Sequence, residues 1–139
     1  MSSITNINFL NSILSRASQH GLITGIYTNY YDWYQITGGA KINNALLWYW
    51  NVYGFGPSDE TPANFDGFRS FDGWTVPSVK QFAQDESVCG YRVNRNVYAE
   101  SYVNVMAATT NSQKSEQLTV GGLGLGRAAL FTGKPEIKG

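Results

Sequence analysis

The first twenty residues place apolar side chains at the spacing of an amphipathic helix. Thr5 or Asn6 is positioned to cap the start of this helix, and Gly21 follows its end. The pattern predicts about four helical turns with one apolar face. The apolar positions are Ile7, Leu10, Ile13, Leu14 and Ala17.

Two apolar runs, separated by a short helical segment, come next. Residues 22–28 predict a buried strand, and residues 30–37 predict a helix that ends at Gly38 and Gly39. Residues 46–53 are apolar and aromatic on both faces, which is typical of strands in parallel sheets covered on both sides. The order helix, strand, helix, strand predicts an α/β architecture.

A long loop and a pair of strands follow. Residues 54–73 combine two prolines, four glycines and four phenylalanines, and a loop of this length is more often functional than idle. Residues 76–83 predict a third strand that begins near Pro77, residues 84–87 predict a turn, and residues 89–98 predict a fourth strand. Because these two strands are too close for a crossover helix, we expect a hairpin.

From residue 99 onward the chain becomes rich in Ser, Thr, Asn and Gln. We therefore divide it into a folded domain, residues 1–98, and a flexible low-complexity tail, residues 99–139, with one short apolar element at 128–131. The glycine-rich run at 121–126 matches a dinucleotide-binding fingerprint only loosely, since no convincing strand precedes it and too little chain follows it. Nucleotide binding is not expected.

Composition and charge exclude several classes of function. Ten basic residues balance ten acidic ones, so no electrostatic footprint for nucleic acid or an anionic membrane surface follows. No run approaches the ~20 apolar residues of a membrane span. Cys89 is the only cysteine and His20 the only histidine, which excludes an intrachain disulfide, a CxxC metal site and a multi-histidine zinc site. We expect no metal or other cofactor. Aromatic residues make up 14% of the chain, which suits either a binding surface or an aromatic core.

Four segments of the predicted domain, taken together and in order, carry a family resemblance. They are residues 25–29 with Trp33, residues 47–49 with Tyr53, residues 71–74 with Pro77 and residues 80–82, and the motif of Cys89, Gly90, Val93, Asn94, Asn96 and Tyr98. This set resembles the nematode and protozoan lysozymes of glycoside hydrolase family 25.

The resemblance implies a partial (β/α) barrel that corresponds to the last four strands of a TIM-like lysozyme barrel. The family's barrel lacks helices between its last strands, in agreement with the element order predicted above. It also implies descent from peptidoglycan-cleaving muramidases of innate defence, which are secreted or lysosomal. Because the start at Met1 has neither the basic residues nor the apolar run of a signal peptide, the localisation of this chain is left open.

The same resemblance argues against catalysis by this chain. The family's catalytic acids lie mainly on the first and fourth strands, before the region matched here, and a further aspartate on the last strand is matched by Asn94. An amide cannot serve as a carboxylate acid, base or nucleophile. The carboxylates of residues 1–98 are predicted in a helix, a loop and a turn, away from the strand ends where barrel enzymes place their chemistry. They are Asp32, Asp59, Glu60, Asp66, Asp72, Asp85 and Glu86. We therefore expect a truncated lysozyme-like protein without catalytic residues, although an enzyme is not excluded.

Five matched positions would line the sugar groove of a complete barrel. These candidate substrate-binding residues are Tyr27, Trp48, Tyr53, Gln81 and Asn94. Barrel packing is the other role open to them. The alternative functions are a non-catalytic carbohydrate-binding or interaction module and a fragment without independent function. The expected partner is peptidoglycan or another glycan, not nucleic acid or a membrane, and open sheet edges could support a homo-oligomer.

Overall fold

The computed structural model describes residues 2–98 and 136–138. No helix in these residues is long and apolar enough to cross a membrane. The elements in chain order are α1 (Ser3–Gln19), β1 (Gly25–Thr28), α2 (Tyr30–Thr37), β2 (Lys41–Asn43), β3 (Leu46–Trp50), a 3-10 turn (Pro57–Asp59), β4 (Val79–Val88), β5 (Tyr91–Tyr98) and β6 (Glu136–Lys138).

Four strands form the main sheet in the order β1-β3-β4-β5. β3 pairs in parallel with both β1 and β4, so that Tyr27 lies opposite Trp48 and Trp50 lies opposite Gln81. β4 and β5 pair antiparallel, as their short connection predicts. The α/β class is therefore confirmed as a mixed structure with a partly parallel sheet. The sheet formed by the described strands is open and is not a closed barrel. The expected partial (β/α) barrel is therefore not confirmed.

The apolar runs are longer than the strands that they predict. β1 begins at Gly25 rather than at residue 22, β3 ends at Trp50 rather than at residue 53, and β4 begins at Val79 rather than at residue 76. The residues that end these runs outside the strands, Leu22, Tyr53 and Val76, are exposed, so apolar character alone does not mark a strand end. A strand extends only as far as its ladder partner. Before β4, Pro77 has no N–H to donate, and Ser78 N makes the first bond to the backbone of β3, at 2.8 Å.

Helix α1 begins about one turn earlier than predicted. Its N-cap is Ser2, whose Oγ accepts a hydrogen bond from the backbone N of Thr5 at 3.3 Å, so the prediction of Thr5 or Asn6 as the cap is wrong. Periodicity could not reveal this first turn, because Ile4 points into solvent and adds nothing to the apolar face. Gly21 follows the end of the helix as predicted, with a φ of 69°.

The hairpin of β4 and β5 turns later than predicted. Residues 84–87 are not a turn but part of β4, which runs on to Val88. These polar residues coincide with an irregularity in the ladder, where the register shifts between Ala83 and Glu86 and Asp85 adopts a φ of 56°. The turn itself lies at Cys89 and Gly90, whose φ values of 51° and 82° match the two positive angles that a tight hairpin turn requires.

Two tryptophans form the centre of the core between the helices and one face of the sheet. The rings of Trp33 and Trp74 meet edge to face, with their centroids 5.0 Å apart. Both indole N–H groups are satisfied inside the core, since Trp33 Nε1 donates to Ala40 O at 2.8 Å and Trp74 Nε1 donates to Ala45 O at 2.9 Å. Trp74, which directly follows the long loop, thus joins the same core as α2.

A short strand from the end of the chain completes this core. β6 pairs antiparallel with β2, which places Ile137 opposite Ile42, and both side chains are buried. Neither strand was predicted by the hydrophobic pattern, and these three residues lie within the segment expected to be a flexible tail. Asn11 on α1 holds β6 in place with two hydrogen bonds to the backbone of Ile137. Residues 99–135, including the predicted apolar element at 128–131, lie outside the described residues.

Candidate functional site

The two faces of the main sheet have different surroundings. Along β3, Leu47 and Tyr49 are buried in the core that α1 and α2 cover, whereas Trp48 and Trp50 point to the opposite face and are only half-buried. The expectation of a strand covered on both faces is therefore met on one face only, among the described residues. We call the other side the open face and define it by Tyr27, Trp48, Trp50, Gln81 and Asn96.

Tyr27 and Gln81 form the first pair on the open face. Tyr27 Oη donates a hydrogen bond to Gln81 Oε1 at 2.7 Å, which joins β1 to β4 across β3. Burial raises the pKa of Tyr27, and the negative charge of Asp32 adds to this effect, while the bond to Gln81 lowers the pKa. The phenol therefore stays protonated and able to donate near neutral pH. Tyr27 is 52% exposed and Gln81 only 3%, so Gln81 supports the ring from beneath.

Trp48 and Asn96 form the second pair. Trp48 Nε1 donates to Asn96 Oδ1 at 2.9 Å, which joins β3 to β5. The Trp48 ring also meets the ring of Tyr27 edge to face, with centroids 5.4 Å apart. Two aromatic rings and two amide side chains thus form one connected cluster across four strands. Asn96 belongs to the fourth segment of the family resemblance but was not predicted as a site residue.

One carboxylate reaches the open face from outside the sheet. The N-cap of α2 is Asn29, whose Oδ1 accepts a hydrogen bond from Asp32 N at 2.8 Å, and this sets the first turn of α2 directly after β1. From there Asp32 Oδ2 accepts a bond from Trp50 Nε1 at 3.2 Å. Trp50 is the last residue of β3, so Asp32 does lie at the carboxyl end of a strand, contrary to the expectation from sequence.

Two of the predicted site residues lie away from this cluster. Asn94 Oδ1 accepts a hydrogen bond from Asp85 N at 3.1 Å and so stabilises the irregular part of the hairpin. Tyr53 lies three residues beyond β3 and is 76% exposed, and its backbone N donates to Asp59 O at 2.9 Å. The structure therefore brings Tyr27, Trp48 and Gln81 together and places the other two candidates elsewhere.

A second group of charges lies on the hairpin. Glu86, which was predicted in a turn, is a buried strand residue, and Arg95 pairs with it at 3.5 Å and also with Glu60. Hydrogen bonding to Glu60 raises the pKa of Glu86, burial and the charge of Glu60 raise it further, and Arg95 lowers it. The arginine stacks over the ring of Phe82, with its guanidinium carbon 4.9 Å from the centroid. These contacts explain the cluster as a structural link between the long loop and the hairpin.

Lys80 is the most buried charged side chain near the sheet. It is 2% exposed, and its Nζ donates to Pro62 O at 2.7 Å and lies 6.0 Å from the centroid of the Tyr49 ring. Burial lowers the pKa of Lys80, and the charge of Asp66 opposes that shift. Lys80 therefore fastens the long loop to the covered face and does not face the open one.

The described residues hold no group of three or more His, Cys, Asp or Glu side chains that could bind a metal ion. Cys89 is exposed and free at the hairpin turn. The chemistry available on the open face is therefore that of aromatic rings, amides, a phenol and one carboxylate. Such a set can stack on a ring-shaped ligand and exchange hydrogen bonds with its hydroxyl groups.

Comparison with known proteins identifies the family. The family model of lysozyme-like protein 1 matches residues 1–82. The chain is 62% identical to lysozyme-like protein 7 of Caenorhabditis elegans over 112 residues, which cover 79% of this chain and 39% of that protein. It is 50% identical to lysozyme-like protein 1 of the same organism over 135 residues, which cover 88% of this chain and 44% of that protein.

More distant relatives carry the name of the glycoside hydrolase family itself. The probable GH family 25 lysozyme 4 of Dictyostelium discoideum is 32% identical over 94 residues, which cover 67% of this chain and 41% of that protein. The chain thus spans about two fifths of the length of the curated relatives that it matches. No solved structure matches it significantly. The resemblance predicted from the four segments is confirmed: the chain belongs to the family of lysozyme-like proteins, whose relatives include the GH family 25 lysozymes.

Proposed function

We propose that this lysozyme-like chain binds the glycan strands of peptidoglycan on the open face of its sheet and does not cleave them. The observation that carries the proposal is the pair of aromatic rings, Tyr27 and Trp48, each of which is hydrogen-bonded to an amide on another strand. Rings held in this way offer apolar surfaces to sugar rings, and the Tyr27 phenol and the exposed Asn96 amide offer polar groups to sugar hydroxyls. The family supports a glycan as the ligand.

The positions of the carboxylates support the proposed lack of cleavage. Glycoside hydrolysis generally needs two carboxyl groups about 5 to 10 Å apart across the scissile bond. Among the described residues, Asp32 is the carboxylate that is hydrogen-bonded to the open face. Glu60 and Glu86 are held by Arg95 on the hairpin instead. At Asn94, where the family resemblance expects an aspartate, the side chain is an amide that caps the hairpin.

The test measures binding and turnover with the same purified chain. Sedimentation with insoluble peptidoglycan reports binding, and release of reducing ends reports cleavage. We expect binding without release. Tyr27→Phe removes the hydroxyl group and keeps the ring, whereas Trp48→Ala removes the whole ring. We expect the second change to weaken binding by about tenfold or more. Tyr91→Phe is the matched control for the phenol, because Tyr91 is an exposed strand tyrosine at the far end of the hairpin.

Each outcome decides between the candidate functions. Release of reducing ends that Asp32→Asn abolishes would overturn the non-catalytic proposal and identify Asp32 as a catalytic carboxylate. If the chain does not bind peptidoglycan, that glycan is excluded as the ligand. This outcome would favour the alternative of an interaction module for another kind of partner. The main sheet has two edge strands, β1 and β5, so a homo-oligomer stays a prediction. Size-exclusion chromatography with light scattering would test it by measuring the mass of the purified protein.

A further inference from the structure

Helix α2 carries three exposed tyrosines that the open face does not use. Tyr30, Tyr31 and Tyr34 are all at least about half exposed, and Tyr31 is the most exposed of them at 78%. Tyr30 stacks with Tyr34 at a centroid distance of 6.1 Å and an interplanar angle of 27°, and it meets Tyr31 edge to face at 5.5 Å. We call these three residues the tyrosine platform.

The platform is anchored to the core through Tyr30. Phe71 meets the ring of Tyr30 edge to face at 6.0 Å, and on its other side it meets Trp74 at 5.2 Å. Trp74 in turn packs against Trp33. A chain of ring contacts thus fixes the orientation of Tyr30, so a ligand that stacks on the platform need not order it first.

A carboxylate lies beside the platform. A methyl group built on Gly39 would lie 3.2 Å from the ring of Tyr34 and 3.6 Å from Asp72 Oδ1, so the ring and the carboxylate border the same small gap. Asp72 Oδ2 is buried and has no hydrogen-bond partner among the described residues. Lys41 is the cation that faces Asp72, and no cationic side chain has a ring contact with the three tyrosines in the described residues.

This chemistry selects one class of ligand. Stacked phenol rings bind the flat apolar face of a pyranose, and the carboxylate oxygen that borders the gap, Asp72 Oδ1, can accept hydrogen bonds from its hydroxyl groups. Asp72 borders the platform, and Asp32 lies in the same helical turn as Tyr30 and Tyr31, which disfavours an anionic ring at this position. The position also fits a polymer: Tyr30 lies two residues after β1, and Asp32 in the same turn is hydrogen-bonded to Trp50 of the open face. Asp32 therefore links the helical turn that carries Tyr30 and Tyr31 to the open face.

From this geometry we propose that the tyrosine platform with Asp72 is a second binding site for an uncharged pyranose ring of a long glycan chain. The proposal rests on the proposed function in its ligand class, but it concerns a different surface. Its consequence is selectivity for length: long strands engage both surfaces, and a single disaccharide engages only the open face. The gain comes from linking two weak sites on one ligand.

The experiment compares two probes, long solubilised peptidoglycan strands and the single disaccharide repeat, by calorimetric titration of the full chain. Tyr31→Ala and Tyr34→Ala should each weaken binding of the long strands between about two- and tenfold and leave disaccharide binding unchanged. Tyr31→Phe keeps the ring and should bind like the native chain. Tyr91→Ala is the matched control, because it removes an equally exposed tyrosine from the hairpin. Thermal melting of each variant verifies that it folds.

The outcomes separate this proposal from the preceding one. Equal affinity of Tyr31→Ala and the native chain for long strands, or an equal loss in Tyr91→Ala, would overturn the platform. If Trp48→Ala weakens binding of the disaccharide while the platform variants change neither affinity, the proposal for the open face is supported and the proposal for the platform is overturned. If the disaccharide does not bind but long strands bind in a Tyr31-dependent way, the platform stands and the open face fails. Binding of neither probe overturns both proposals.

Discussion

Asn11 makes two side-chain hydrogen bonds that attach β6 to α1, and this makes it a sharp test of the fold. Asn11 Nδ2 donates to Ile137 O at 2.9 Å, and Asn11 Oδ1 accepts from Ile137 N at 2.8 Å. Each bond contributes about 1 kcal/mol, so Asn11→Ala should lower the free energy of unfolding by about 2 kcal/mol, which is a factor of roughly 30 in the unfolding constant. The Ile137 side chain is buried in the core, so Ile137→Ala should cost about 2 to 5 kcal/mol.

The assay is urea unfolding followed by tryptophan fluorescence, which reports the core around Trp33 and Trp74. Asn8→Ala is the matched control, because Asn8 is an exposed residue of the same helix. We expect it to change the free energy of unfolding by less than about 0.5 kcal/mol. The double variant of Asn11 and Ile137 should lose clearly less than the sum of the two single losses, since both act through the docking of β6.

Two results would refute this reasoning. Equal effects of Asn8→Ala and Asn11→Ala would mean that the asparagine acts through helix propensity and not through its bonds to β6. Full additivity of Asn11→Ala and Ile137→Ala would mean that the side chain of Ile137 stays buried without the two hydrogen bonds from Asn11. Those bonds would then not be what keeps β6 in place.

Three further predictions use the same urea assay. Gly73→Ala should destabilise the chain by at least about 2 kcal/mol, because its φ is 107° and a Cβ would overlap a backbone oxygen of β2, whereas Gly67→Ala meets open space and should be nearly neutral. The folded pKa of Glu86 is raised above 4.5, chiefly by its hydrogen bond to Glu60, so its contribution to stability is complete below pH 4.5 and is lost as pH rises through the folded pKa; Glu86→Gln should flatten that pH dependence. Tyr49→Phe should leave stability unchanged or raise it, because the hydroxyl is buried without a partner among the described residues, and a loss above about 1 kcal/mol would contradict this.

The helices and the hairpin could be predicted because their signals are local. α2 is bounded by Asn29 and Gly38, and both ends agree with the sequence pattern. β2 and β6 could not be predicted, since each has three residues and their pairing joins Ile42 to Ile137 across most of the chain. No window of sequence contains both partners, and polar neighbours on both sides hide the one buried residue of each strand.

The open face shows a different limit. A two-residue period places Asn94 and Asn96 on the same side of β5, so pattern alone cannot tell which amide reaches the tryptophan. The irregular ladder decides it: Asn94 is used to cap Asp85, and Asn96 is left to pair with Trp48. Asp32 was missed for a related reason. It lies in α2, and its contact with Trp50 depends on how that helix is oriented against the sheet, which a local sequence pattern does not reveal.

The polar groups of the open face are already paired with one another, and this determines how the proposed glycan ligand would bind there. Tyr27 Oη donates to Gln81, so toward a ligand the phenol oxygen acts as an acceptor of hydroxyl protons. Asn96 accepts from Trp48 through Oδ1, so its NH₂ group remains the donor. The cluster therefore presents an acceptor on β1 and a donor on β5, with the ring of Trp48 between them. A ligand that offers a hydroxyl to each and a flat face to the ring satisfies all three without breaking an internal bond. That match needs no movement of the sheet. Because Trp48→Ala removes the whole ring and Tyr27→Phe removes only a hydroxyl group, the first change should cost more affinity than the second.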